Sequence, residues 1–166
     1  EPVMEDGAYF IYSKEAKGVM CYILTGGAAN KVDAEPTADK KADFGEGDGT
    51  GAAVFTFEWQ KDTQTYLIKC GSEYLSLDTT NGRTLYRAAQ PQKTAKNGSY
   101  WIIQKNEEFG GYTIKNSTAK SGSSDVYLEY YPSSGFCAYT VKDAITSIYV
   151  FDFLDAAGVA NEDGYV

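Results

Sequence analysis

At 166 residues, 43% of them hydrophobic and 14% aromatic, the chain has enough apolar surface for one domain with a filled core, which excludes a disordered polymer. Its 23 acidic against 15 basic residues leave a net charge of −8, and the cations are scattered; this excludes a nucleic-acid-binding stripe and repels anionic lipid. Histidine is absent, which removes Ser-His-Asp and Cys-His catalysis and His-based zinc sites.

No apolar run approaches the roughly 18 residues of a membrane span, so no membrane insertion is expected. The chain opens on Glu1 with no secretory leader in view, which fits a processed or excised segment of a longer protein. The 14 tyrosines suit sheets whose faces are half wet, and they also suit binding surfaces. Cys21, Cys70 and Cys137 form no CxxC pair. One disulfide would leave a third thiol over, and each Cys lies in an apolar strand-like context, so three buried free thiols are expected.

In chain order, "YFIYS" from Tyr9 and "MCYIL" around Tyr22 read as two alternating strands. A third strand is hard to place in "NKVDAEPTADKKADF". "DFGEGDGTGAA" (residues 43–53) lacks the strand-to-helix context and the Lys-Ser/Thr ending of a phosphate loop, and its Asp43, Glu46 and Asp48 miss the EF-hand spacing. It reads as an acidic insertion.

"AVFTFEWQ" from Ala53, "YLIKC" from Tyr66, "EYLSL" around Tyr74 and "TLYRA" (residues 84–88) follow, with Asn81-Gly82 as a turn. The set then repeats: "SYWIIQ" from Ser99, "YTIKN" from Tyr112, "VYLEY" around Tyr127, "GFCAYTV" (residues 135–141) and "YVFDFLD" (residues 149–155). No segment has helical periodicity, and 141–154 alternates. Residues 156–166, "AAGVANEDGYV", are small and acidic and read as a linker or tail after a domain spanning 1–155.

The phrase is therefore written three times at about 50 residues. Aligned by their aromatic openings, Phe55, Trp101 and Tyr149 share one position, and Phe57, Ile103 and Phe151 the next inward one. One unit of four short strands cannot bury its apolar face, whereas three closing on a pseudo-threefold axis can. The expected fold is all-β, a β-trefoil of three pseudo-repeats. A β-sandwich is the alternative, and three blades are too few for a propeller.

The motifs "DGAYFIY", "QTYLIKC" and "GGYTIKN", then "YLSL" and "YLEY", then "FCAYTV" before "YVFDF", resemble the ricin-B-like trefoil superfamily over roughly residues 9–155. The nearer resemblance is to trefoil-like repeats within large bacterial cell-surface proteins. It implies a secreted or cell-surface accessory module, monomeric within a larger polypeptide, with no catalysis and no cofactor. Its partners would be glycans or another protein. In ricin-type lectins each unit carries a Gln two residues before the Trp-like position; here those places fall on Ala53, Ser99 and Ser147. The sugar-binding Asp of that family is approached only by Asp78, with Glu129 or Tyr130 in the third unit.

Two hairpins are candidate sites. In the third unit, Tyr130, Tyr131, Phe136 and Tyr139 crowd one hairpin, where an exposed ring can stack on a pyranose, and Glu129, Asn116 and Asp125 can accept its hydroxyls. Alternation sends Tyr127 and Glu129 to one face and Leu128 and Tyr130 to the other, so not all of these rings can be buried together. In the second unit, Asp78, Asn81, Arg83 and Tyr86 form the equivalent hairpin. No pair of carboxylates stands in a motif for glycoside hydrolysis. The functions in contention are carbohydrate recognition, a structural or protein-contacting spacer, and a trefoil-type protease inhibitor.

Overall fold

A computed structural model describes residues 1–166. The strands are β1 (Gly7–Ser13), β2 (Gly18–Thr25), β3 (Ala28–Asp33), β4 (Glu35–Pro36), β5 (Ala42–Asp43), β6 (Phe55–Gln60), β7 (Thr65–Cys70), β8 (Glu73–Asp78), β9 (Thr84–Ala88), β10 (Asn97–Gly98), β11 (Tyr100–Lys105), β12 (Tyr112–Ser121), β13 (Ser124–Tyr131), β14 (Gly135–Thr140) and β15 (Asp152–Asp155). The only helical element is a single 3-10 turn at Ser147–Tyr149.

Six strands close a barrel. β1 pairs with β6, β6 with β7, β7 with β11, β11 with β12, and β15 returns to β1, all antiparallel. The remaining seam is a two-residue bridge in which the Tyr112 and Phe151 amides each donate to the other's carbonyl at 2.8 Å. Gly111 admits this seam: its φ is +70°, and a Cβ there would lie 2.6 Å from the Phe151 carbonyl oxygen. Three hairpins, β2–β3, β8–β9 and β13–β14, stand off the barrel. Each unit thus supplies two barrel strands and one hairpin, which is the β-trefoil. Two stacked open sheets would lack the closed circuit, so the sandwich alternative falls.

The register corrects the third copy. Tyr9 pairs with Phe55, Tyr66 with Trp101 and Tyr112 with Phe151. One step inward, Phe57 faces Ile68, Ile103 faces Ile114 and Phe153 faces Ile11. The equivalent rings are therefore Phe55, Trp101 and Phe151, not Tyr149, and the third copy is displaced by two residues. Phe55, Trp101 and Phe151 are all buried in the 23-residue central cluster. Tyr149 is buried outside it, in the 3-10 turn, with its ring centroid 6.1 Å from that of Tyr127. Tyr149, Phe151 and Phe153 repeat an aromatic at every second position, so alternation is satisfied equally by either alignment.

The missing strand of the first unit is β3, followed by the β4–β5 pair as an insertion. The acidic loop beyond it spends its carboxylates on its own turns: Asp43 accepts from the Gly45 amide at 2.8 Å, and Asp48 from the Thr50 amide at 3.0 Å. A second cluster of eight buried residues, including Phe10, Val54, Leu154 and Ala156, joins this insertion to β1.

Residues 156–166, expected to form a linker or tail, belong to the domain. The Val166 amide donates to Ala52 and the Gly51 amide to Val166, and Tyr165 stacks on Tyr22 with centroids 3.6 Å apart. Small residues here serve close packing, not flexibility. The cysteines are free, with Cys70 buried and Cys21 and Cys137 half-buried.

Phe151→Ala opens the central cluster and is expected to lower stability by about 3–5 kcal/mol, whereas Tyr149→Phe, which loses one hydrogen bond, costs about 1 kcal/mol. Urea unfolding of the two variants measures the difference; equal losses would contradict the register.

Candidate functional site

The β13–β14 hairpin presents two faces. Val126, Leu128 and Tyr130 point into the central cluster with Phe136 and Ala138 of the opposite strand. Tyr127, Glu129 and Tyr131 take the other face, where Glu129 lies across from Cys137 and Tyr127 from Tyr139. Strand alternation alone produces this split.

This outer face borders an open hollow of about 470 Å³ where all three hairpins meet. Glu129, Tyr131, Cys137 and Tyr139 come from the third hairpin, the Gly26-Gly27-Ala28 turn from the first, and Arg83 from the second. Backbone contacts hold the three together: the Leu85 amide donates to Gly27 at 3.2 Å, and Phe136 bridges to Ala29. Tyr131 and Tyr139 are exposed to 49% and 45%. The Arg83 guanidinium lies over the Tyr139 ring, 4.5 Å from its centroid, and forms no hydrogen bond or ion pair with the rest of the chain.

Glu129 is the unusual group. It is only 3% exposed. Its Oε1 accepts a weak hydrogen bond from the Cys137 thiol at 3.4 Å, and its Oε2 is buried with no partner. Burial raises the Glu129 pKa above the usual carboxylate value, while the Cys137 thiol, the nearby Tyr149 hydroxyl and the Arg83 charge oppose the rise. Burial, reinforced by the Glu129 charge, pushes both the Cys137 thiol and the Tyr149 hydroxyl up to about 12. Cys137 is therefore an unreactive thiol. The Tyr149 hydroxyl donates to the Thr140 carbonyl at 2.9 Å, which holds the 3-10 turn against this face.

Several residues expected to bind ligand are structural. Tyr130 and Phe136 form an edge-to-face pair inside the core. Asn116 is buried; its Nδ2 donates to the Gly98 carbonyl at 3.0 Å, and its Oδ1 accepts from the Ala119 amide at 2.9 Å. Asp125 pairs with Lys115 and Lys120 away from the hollow. In the second hairpin, Asp78 caps its turn by accepting from the Thr80 amide at 2.8 Å, Tyr86 donates to Asn97 at 3.0 Å, and Asn81 is exposed in the turn. These three share no cavity with the third-unit site. Arg83 leaves its own hairpin to complete that site, while Cys137 and the Gly26-Gly27 turn join it unexpectedly. Nothing in the sequence marks these neighbours, because turns more than 50 residues apart meet only on the pseudo-threefold axis.

With the corrected register, the place two residues before the aromatic falls on Ala53, Ser99 and Tyr149. Ala53 and Ser99 are fully buried, and the Ser99 hydroxyl bonds with Ser76 at 2.6 Å. None offers an amide to a ligand.

The fold and the hollow together define a β-trefoil module. Similar solved structures support the fold. A mosquitocidal holotoxin superposes with a TM-score of 0.66 at 14% identity, over 95% of this chain and 17% of its own. The Polyporus squamosus lectin bound to a human-type influenza-binding epitope gives 0.60 at 14% identity, over 92% of this chain and 50% of its own. SeviL bound to the asialo-GM1 saccharide gives 0.57 at 16% identity, over 92% of this chain and 99% of its own. The chain thus spans a small part of the holotoxin and half of the Polyporus lectin. No protein-family model and no curated protein sequence matches it.

Because burial favours the neutral acid, the folded chain holds the Glu129 proton at pH values where the unfolded chain has lost it. The associated stability is present below the ordinary carboxylate range and declines as pH rises through the folded value. Glu129 is faced by Arg83 and by Cys137 and Tyr149, and burial keeps the last two neutral in that window. Glu129→Gln is expected to raise the melting temperature at neutral pH by roughly 2–4 °C, on the order of 1 kcal/mol. The gain should shrink towards pH 4. A gain equal at both pH values would show that the carboxylate is not strained by burial.

Proposed function

We propose that the chain is a non-catalytic carbohydrate-recognition module of a secreted or cell-surface protein, acting as a monomer within a larger polypeptide. The observation that carries this reading is the pairing of an exposed ring, Tyr131, with a buried carboxylate oxygen on Glu129 that lacks any partner. A pyranose has an apolar face that stacks on such a ring and edge hydroxyls that donate to such an oxygen. Two of the similar solved structures carry saccharides, which supports the ligand class.

Glycoside hydrolysis requires two carboxyl groups facing each other across the sugar. Glu129 is the single acidic residue lining the hollow, which favours binding without turnover. The absence of an amide at Ala53 and Ser99, both fully buried, favours one site over three. It is also what a protein-contacting spacer would show, and that is the second reading. A protease-inhibitor role has no comparable support.

Affinity electrophoresis through neutral and charged polysaccharides separates the readings. Tyr131→Ala is expected to abolish retardation with a melting temperature unchanged within about 1 °C, since the ring is half exposed. Tyr130→Ala, by contrast, removes a core ring and should cost about 3–5 kcal/mol. Absence of retardation on every polysaccharide would leave the spacer reading in front.

A further inference from the structure

Resting on the carbohydrate reading, we propose that the hollow selects sugars bearing a protonated amine, such as unacetylated hexosamines, and that Glu129 and Arg83 set this preference. Three independent observations converge on a cation. First, Glu129 is 97% buried on the hollow's wall with Oε2 unpartnered and Oε1 held only by a thiol at 3.4 Å. A buried acceptor in this condition is unfavourable until a donor reaches it, and an ammonium brings three donors together with the opposite charge. Second, the chain already places a cation at this spot. Arg83 crosses from the second hairpin to lie on the Tyr139 ring at 4.5 Å, and no carboxylate or carbonyl of the protein holds its guanidinium there. A side chain on a Gly82 turn that is retained by a ring face alone is displaceable by a ligand cation making the same contact. Third, the net charge of −8 draws cations towards the surface and disfavours acidic glycans.

A hexosamine meets all parts of the site at once. Its pyranose face covers Tyr131, its ammonium displaces Arg83 from Tyr139, and one N–H donates to Glu129 Oε2. A neutral sugar would offer the carboxylate a hydroxyl and leave Arg83 as its only counter-charge. N-acetylation would remove the charge and add bulk at the same position.

The test is calorimetric or NMR titration of the whole chain, just below neutral pH, with three soluble trisaccharides: β-1,4-linked glucosamine, its N-acetylated form and its neutral glucose counterpart. Short ligands avoid polyelectrolyte attraction. Binding of the amine trimer at least tenfold tighter than the other two is expected. Glu129→Gln, which changes the net charge by a single unit, should erase that preference, with a melting curve run alongside to check that the variant is folded. Arg83→Ala, by removing the resident cation, should tighten amine binding several-fold, a gain that a purely structural Arg83 would not produce. Equal binding of all three trimers would overturn the amine preference and leave the carbohydrate reading standing. An amine preference that persists in Glu129→Gln would overturn the assignment to this site. Failure of all three to bind, alongside no retardation on any polysaccharide, would overturn the carbohydrate reading itself.

Discussion

Two hydrogen bonds between Tyr112 and Phe151 close the barrel. Every other barrel seam extends through consecutive hairpins or paired strands, whereas this one joins the third unit's first strand to its last through a single residue pair. Closure at this point seats the Phe151 ring with Phe55 and Trp101 in one core, and it leaves no open sheet edge on the barrel. It also fixes the stretch between β14 and β15, so the 3-10 turn carrying Tyr149 must pack against the outer face of the β13–β14 hairpin. The electrostatic character of the candidate site follows from that packing, because it is what helps to bury Glu129.

The third hairpin therefore does two jobs with one alternation. Its inner residues, Leu128, Tyr130 and Phe136, complete the apolar core. Its outer residues, Glu129, Tyr131 and Tyr139, line a hollow that the other two hairpins finish with a glycine turn and Arg83. The second hairpin does not repeat this chemistry. Where the third unit has the unpartnered carboxylate of Glu129, the second has Ser76, whose hydroxyl bonds with that of Ser99 at 2.6 Å. Pseudo-symmetry supplies the frame, and divergence of the side chains leaves one unit with a free acceptor beside an exposed ring.

The docked C-terminal residues extend the same logic. Tyr165 stacks on Tyr22, and the backbone of residues 164–166 pairs with residues 51–54. Their composition resembles that of a solvated tail, since Gly, Ala, Asn and Asp are as suitable for close backbone approach as for mobility. Composition does not separate the two cases; only the presence of a receiving groove does.

Period-two patterning and a repeated phrase were enough, read from the residues alone, to indicate eleven of the twelve trefoil strands, three units and a closed all-β core, because alternation and the need to bury one face act locally. The split of Tyr127 and Glu129 from Leu128 and Tyr130 was legible for the same reason. Three things waited for the tertiary structure: which of Tyr149, Phe151 and Phe153 enters the central layer, whether the last residues dock, and that Arg83 of one hairpin reaches the ring of another. Each depends on contacts between segments far apart in the chain. Aromatics at i, i+2 and i+4 satisfy alternation in two registers, and only the closing bond pair and the space left by Phe55 and Trp101 choose between them.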